Sequence, residues 1–355
     1  MTLKELTKDA ILLLKQLIET QSFSSEEDQT ASLIEAWFSR YDVNCKRTQN
    51  NVWATNANFD DKKPTLLLNS HHDTVKPNSA YTKNPFKAIV EDGKLYGLGS
   101  NDAGGCLVSL MATFTYFYKH KDLHYNLVIV ASAEEESSGP NGLNSMLSII
   151  PKIDVAIVGE PTLMHLAIAE KGLVVFDAVV KGTPSHAAHP NDDNVIYKSI
   201  DVLQWFRDFK FEKGSPALGD VKLTVSQIKA GKQHNAVPAD LELVIDVRVN
   251  DAYTNAEIAE ILQNEAPCDS ITPRSLRLNS SSIPVDHDLV KAGIAMGRST
   301  YGSPTLSDQA VLSCPSLKLG PGDSTRSHSA DEFIYLKEIE EGIQMYVELL
   351  TRVIV

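Results

Sequence analysis

Cysteine is scarce: Cys45, Cys106, Cys268 and Cys314 are scattered through 355 residues with no CxxC pair. That excludes a disulfide scaffold and a thiolate zinc knuckle, and it predicts reduced packing residues in a cytoplasmic protein. No apolar run approaches the ~20 residues that span a bilayer. The opening Met1-Thr2-Leu3-Lys4-Glu5-Leu6 lacks the basic region and apolar run of a signal peptide. Clusters of Lys and Arg are missing as well. With 33 basic against 46 acidic residues the net charge is −13, which argues against nucleic acid and anionic membranes as partners. Internal repeats and low-complexity runs are absent. At 43% hydrophobic and 22% charged the chain has an ordinary globular composition, so disordered and collagen-like readings fall away.

What is present is a set of short buried runs, each followed by a polar, ligand-bearing stretch. Leu3, Leu6, Ala10, Leu13, Leu14, Leu17 and Ile18 recur at helical spacing and predict an N-terminal amphipathic helix. Thr65-Leu66-Leu67-Leu68, Leu127-Val128-Ile129-Val130 and Val155-Ala156-Ile157-Val158 read as strands buried on both faces. A helix is expected over Leu107 to His120, and the alternation points to a largely parallel α/β sheet. From about Leu173 the texture changes. Strands over Leu173–Lys181, Lys222–Ile228, Leu241–Val249 and Ser275–Leu278, with helices over Asn194–Phe209 and Thr254–Leu262, give the order β-α-β-β-α-β of a split, ferredoxin-like unit. The expected architecture is a discontinuous catalytic domain over 1–172 and 282–355 with an inserted α+β domain over 173–281. A last helix is expected over Leu336 to Val353.

Five stretches carry candidate metal ligands. They are Ser70-His71-His72-Asp73, Ser100-Asn101-Asp102-Ala103-Gly104-Gly105, Glu134-Glu135-Glu136, Gly159-Glu160-Pro161-Thr162 and Ser327-His328-Ser329-Ala330-Asp331-Glu332. Each falls just beyond a strand end or at a helix start, where open α/β sheets place their sites. In an extended backbone His71 and Asp73 point the same way, so His71 can bind a metal while Asp73 accepts its second ring N–H; His72 faces away. Asp102 lies between Gly97-Leu98-Gly99 and Gly104-Gly105, small residues that let backbone crowd a site. Its two carboxylate oxygens can bridge two cations. Three consecutive glutamates repel one another unless cations neutralise them, and adjacent side chains diverge, so one can bind metal while its neighbour reaches a water. Taken singly, each motif also reads as an ordinary loop, a helix N-cap or a solvated acidic run. Together they suit a pair of Zn²⁺ ions, and two metals clamping one water mean hydrolysis.

Asn69 to Val75, Tyr96 to Gly105, Ala133 to Gly139, Val158 to Thr162, Ser185 to Pro190 and Ser327 to Phe333 resemble the successive signature blocks of the M20 zinc aminoacylases and peptidases. The resemblance implies that Asp102 bridges both zincs, that His71 and Glu160 complete one ion, and that Glu136 and His328 complete the other. It implies Glu135 as general base and Asp73 as the carboxylate orienting His71. His186, in Ser185-His186-Ala187-Ala188-His189-Pro190, matches the residue that steadies the oxyanion across a dimer interface. Asn235, Arg248 and Gly322 match substrate-binding positions. Where relatives often carry Asp-Met-Lys-Gly, this chain has Asp102-Ala103-Gly104-Gly105; the bridging carboxylate survives that change.

The blocks look most like those of the acetylornithine deacetylases. The implied function is zinc-dependent hydrolysis of an N-acyl-L-amino acid, N-acetylornithine or an N-acylcitrulline, by a cytoplasmic homodimer, with Co²⁺ or Mn²⁺ as substitute metals. A desuccinylase of succinyl-diaminopimelate or a dipeptidase would use the same mechanism. A non-catalytic amino-acid-binding protein would be expected to lose the base or a ligand, and this chain retains all of them.

Overall fold

Alternation within the apolar runs decides where the core lies. The structure, a computed structural model, describes residues 2–355. Helices α1 (Leu3–Ile18) and α2 (Asp28–Arg40) lead into β1 (Cys45–Thr48), β2 (Asn51–Thr55), β3 (Thr65–His71), α3 (Gly105–Phe117), β4 (Asn126–Ser132) and β5 (Val155–Val158). The chain then forms β6 (Gly172–Lys181), α4 (Val195–Asp208), β7 (Lys222–Ala230), β8 (Asp240–Val249), α5 (Asn255–Glu265) and β9 (Ser270–Pro273). It closes with α6 (Asp288–Ala295), β10 (Ser316–Lys318) and α7 (Leu336–Ile354). Among the described residues no helix is long and apolar enough to cross a membrane.

The first compact unit comprises the residues up to Ile168 together with Ser282–Tyr301 and Ser307–Val355. Its sheet runs in the order β1-β2-β4-β3-β5-β10 and continues beyond. β4, β3, β5 and β10 are mutually parallel, while β2 joins β4 antiparallel. Leu66 and Leu68 of β3 pack with Ile129, Ile157 and the helices on one face, and Leu67 packs with Val128, Val130, Trp53 and Met146 on the other. The strand period of two thus feeds two cores at once, so the strands read as unbroken apolar runs.

α1 buries the predicted stripe Leu6, Ala10, Leu13, Leu14, Leu17 and Ile18. A capping box starts it: Glu5 N donates to Thr2 Oγ1 at 3.3 Å, and Thr2 N donates to Glu5 Oε2 at 2.8 Å. α3 packs against α1, α7 and the sheet, and Tyr116 is its one residue that is not fully buried. Its Gly105 N-terminus is set by packing, since a Cβ there would lie 2.4 Å from Ile334 Cδ1.

The second compact unit holds Ala169–Ser281 and Gly302–Leu306. Its antiparallel sheet has the order β7-β8-β6-β9, with α4 and α5 packed on the face formed by Val174, Phe176, Leu243, Ile245 and Val247. That is the ferredoxin-like arrangement. Two details differ from the sequence reading. The closing strand is Ser270–Pro273, not Ser275–Leu278: Ile271 turns into the core at 7% exposure, whereas Leu276 stays 39% exposed. Pro273 is tolerated because β9 is an edge strand. The unit also gains Gly302–Leu306, a segment placed in the catalytic domain from sequence. Lys171 N donates to Ser303 O at 3.2 Å, and Gly302 packs so tightly that a Cβ would lie 2.0 Å from Ala217 O.

Phe114, fully buried in α3, packs edge-on against Phe38 at 6.2 Å. Phe114→Ala is expected to cost about 3–5 kcal/mol of stability in denaturant unfolding, the range for a truncated core phenylalanine. A loss below about 1 kcal/mol would contradict this packing.

Candidate active site

The parallel strands all point their C-terminal ends at one place. β3 ends in His71, β4 ends at Ser132 just before the three glutamates, β5 ends two residues before Glu160, and α3 begins just after Asp102. Backbone polarity at these ends leaves side chains of different strands facing one another.

His71 is 1% exposed, and its Nε2 lies 3.4 Å from Asp102 Oδ1, 3.8 Å from Glu160 Oε1 and 3.9 Å from Glu135 Oε2. Asp102 Oδ2 lies 3.7 Å from His328 Nε2, which is 2.9 Å from Glu136 Oε2. One carboxylate therefore faces both histidines with separate oxygens. Two triads could each hold an ion, His71–Asp102–Glu136 and His71–Glu135–Glu160. Their membership overlaps, so geometry alone leaves Glu135 and Glu136 open as ligands; the contact of Glu136 with His328 places that glutamate on the His328 side.

Electrostatics follow from the crowding. Burial alone would lower the His71 pKa, but Asp102, Asp73, Glu135 and Glu160 outweigh it and hold the imidazole well above its ordinary value. Burial pushes the Glu135 carboxyl well up, and the charges of Glu160, Asp308 and Glu136 add to it. His328 is raised to about 9, chiefly by its hydrogen bond to Glu136. Four carboxylates in this space need protons or cations among them.

The donor set around His71 fits a divalent cation. His71 Nε2 is buried and has no hydrogen-bond partner among the described residues. Oxygens 3.4–3.9 Å away are too distant for a good hydrogen bond. Ligands of one tetrahedral zinc at ~2.0–2.1 Å stand about 3.3 Å apart, close to the shortest of these separations.

Asp73 lies beside His71 and also shapes the neighbouring turn. Its Oδ1 is 3.4 Å from His71 Nδ1, whose nearer acceptor is the Asp73 carbonyl at 3.0 Å. The same carboxylate accepts Glu135 N and Glu136 N, both at 3.1 Å, and Ser24 Oγ at 2.7 Å. It thereby fixes the turn that separates the glutamates. Glu134 turns away: its carboxylate accepts Ser25 Oγ at 2.9 Å and the Asn141 backbone and side-chain N–H groups at 3.0 Å. Its φ of +55° and the close approach of Gly139 complete the turn; a Cβ on Gly139 would lie 2.1 Å from Glu134 Oε2. His72 sits between Thr30 and Asn50, and burial holds it neutral, with its pKa down to about 4.

Several supporting groups escaped the sequence reading. The Glu332 carboxylate accepts Gly99 N, Asn101 N and Asp102 N at 3.0, 2.8 and 2.9 Å. Glu27 accepts Ser25 N at 2.7 Å and Glu134 N at 3.2 Å. Asp308, pushed up to about 6 mainly by burial, accepts Ser132 Oγ at 2.5 Å. Glu332 closes the Ser327–Glu332 stretch with nothing local to mark its partners, and the Glu27–Glu134 and Asp308–Ser132 bonds join residues 107 and 176 apart, too far to leave a local signal. Cys106 is buried, with its Sγ 3.1 Å from Pro321 O, a packing position.

Of the remaining predicted residues, Gly322 adopts φ +91° in the first unit, where a Cβ would lie 2.5 Å from Asn101 Oδ1. His186, Asn235 and Arg248 belong to the second unit. Ser185–His186 pairs with Ala236–Val237, and Ala187 N donates to Asn235 O at 3.0 Å. Arg248 is held by Asp246, two residues before it on β8, at 2.9 and 3.1 Å.

The chain matches the family "Peptidase family M20/M25/M40" over residues 67–352. It is 26% identical to the succinyl-diaminopimelate desuccinylase of Wolbachia pipientis subsp. Culex pipiens, covering 96% of this chain and 92% of that one. It is also 26% identical to the acetylornithine deacetylase of Shigella sonnei, covering 96% of each. Its fold is that of the Bacillus subtilis YXEP protein, a dinuclear metal binding peptidase from the M20 family, with a TM-score of 0.74, 15% identity and 98% of each chain covered.

Asp73→Ala should weaken metal binding about 10- to 100-fold, the usual result of losing a ligand's outer support. Competition against a chromophoric chelator measures it. Unchanged affinity would mean that the turn stands without Asp73.

Proposed function

Because the chain belongs to peptidase family M20/M25/M40, we propose that it hydrolyses the amide bond of an N-acyl-L-amino acid at a two-zinc centre. The observation that carries this reading is Asp102, whose Oδ1 faces His71 at 3.4 Å while its Oδ2 faces His328 at 3.7 Å. Asp102 would be shared by both ions, with His71 and Glu160 on one side and Glu136 and His328 on the other. A bound metal pair supplies Lewis acidity that polarises the amide carbonyl and makes a water acidic at neutral pH.

Glu135 is the base. It is set apart from Glu136 by the turn that Asp73 holds, and burial raises its proton affinity, which suits a group that takes up a proton from water and passes it on. The oxygen of that water adds to the amide carbonyl carbon, and the protonated carboxyl donates to the leaving nitrogen as the C–N bond breaks, so the products are a carboxylate and a free amino acid. His186 would donate to the developing oxyanion. Ala188 N donates to His186 Nδ1 at 3.1 Å, which leaves the proton on Nε2 and makes that nitrogen a donor. Arg248 and Asn235 are the substrate-carboxylate candidates of the second unit, and Arg248 would have to exchange Asp246 for the ligand.

The substrate we favour is N-acetylornithine or an N-acylcitrulline, in arginine biosynthesis, with the chain in the cytoplasm as a homodimer. All four cysteines are free, which accords with that compartment. An edge strand and an apolar patch accord with a dimer: β7 is the outer strand of its sheet, with Ile228 53% exposed, and Ile196, Tyr197 and Ile200 of α4 are exposed too. The likeness to desuccinylases keeps succinyl-diaminopimelate as the second reading. A kinetic panel of acetylornithine, acetylcitrulline, succinyl-diaminopimelate and dipeptides on zinc-loaded enzyme decides between them; no turnover of any N-acyl amino acid would overturn the reading.

Glu135→Gln should retain both metals and lose turnover by roughly two to four decades. Loss of metal instead would exchange the roles of Glu135 and Glu136.

His186→Ala should keep its zinc while kcat falls about 10²- to 10³-fold, as for one oxyanion donor. Mixed with Glu135→Ala under subunit exchange, it should regain activity, since one hybrid site would be intact. Absence of complementation in demonstrated heterodimers would place His186 within its own chain's site or outside catalysis.

A further inference from the structure

The two histidines of the centre are held in opposite ways. His71 is the last residue of a central strand and is buried, whereas His328 stands on a turn with φ +57° and a side chain 56% exposed. Nothing in the sheet ladder fixes that turn. Beyond local backbone bonds such as Ser327 N to Ser324 O and Ser329 N to Arg326 O, it is tied down by side chains.

Arg326 forms a two-point ion pair with Glu338 of α7 at 2.7 and 2.9 Å, and Ser329 Oγ donates to Arg326 O at 2.6 Å. On the other side, Asn78 Nδ2 donates to the carbonyl of His328 at 3.2 Å. Asp331 makes the densest set of bonds: its Oδ1 accepts Thr82 N at 2.9 Å and Lys83 N at 2.8 Å, and its Oδ2 accepts Thr82 Oγ1 at 2.5 Å. These contacts cross about 250 residues of sequence. With both oxygens committed to the 78–83 loop, Asp331 is not a ligand, although it lies three residues from His328 beside another acid. Glu332 accepts instead the amides of Gly99, Asn101 and Asp102. Adjacent acids thus tie the segment that carries His328 to two different loops, 82–83 and 99–102.

We propose that Asp331 is a positioning residue for His328, and that its clamp on Thr82 and Lys83 sets the affinity of the one metal that His328 holds. The proposal rests on the two-metal reading. Its reach is selective: the clamp touches the turn that carries His328 and none of the elements that carry His71 or Glu160.

The test is metal stoichiometry and affinity in Asp331→Ala and Asp331→Asn, measured by elemental analysis after dialysis against a buffered zinc concentration and by chelator competition. Asn retains an acceptor for the Thr82 and Lys83 amides. Asp331→Ala should lose one equivalent of zinc, its affinity down about 10- to 100-fold, while the other equivalent binds as in the wild type. Asp331→Asn should restore most of the loss. In a His328→Ala background, Asp331→Ala should leave the remaining zinc unchanged. Asn78→Ala, which removes a single bond to the His328 carbonyl, should give a smaller loss of the same one metal and serves if Asp331→Ala does not fold. Retention of both metals at wild-type affinity, equal loss of both, or failure of Asn to restore binding would overturn the proposal. A wild-type protein that bound no zinc would instead overturn the two-metal reading beneath it.

Discussion

Negative charge packed around two imidazoles governs the organisation of the first unit. Asp102, Glu135, Glu136 and Glu160 face His71 and His328 within a few ångströms. Carboxylates at such range disfavour one another's ionised form, so the arrangement is stable only with protons or metal cations among them. The scaffold contributes rigidity where that repulsion acts. β3, β4 and β5 are buried on both faces, and their C-terminal ends hold the charged residues in place.

Behind the charged residues stands a layer of groups that bond to backbone amides. Asp73 takes the amides of Glu135 and Glu136, Glu27 that of Glu134, Glu332 those of Gly99, Asn101 and Asp102, and Asp331 those of Thr82 and Lys83. Carboxylates are well suited to this work because each can accept several N–H groups at once. The acidic surplus of the chain is therefore partly internal. It serves to shape turns as well as to face cations, and this is why counting acidic residues in a motif overstates the number of ligands.

The α/β architecture was legible because doubly buried strands leave continuous apolar runs, as in Leu66-Leu67-Leu68, and amphipathic helices leave stripes, as in α1. The residues that converge were legible because each ends a strand or opens a helix. What sequence could not give was the division of labour within Glu134-Glu135-Glu136, which depends on a turn closed by Asp73, Ser25 and Asn141 from elsewhere in the chain. Nor could it show that Asp331 and Glu332 bond to different loops, 82–83 and 99–102. The edge strand Ser270–Pro273 leaves little local signal, since it ends in a proline and Leu276 and Leu278 nearby are more apolar.

The central claim is that Asp102 lies between two metal ions. Anomalous diffraction at the zinc edge from crystals of the zinc-loaded protein tests it most directly. The account predicts two peaks about 3.5–4 Å apart, one beside His71 and Glu160, the other beside His328 and Glu136, with an Asp102 oxygen on each. A single fully occupied peak, or two that Asp102 does not join, would contradict it.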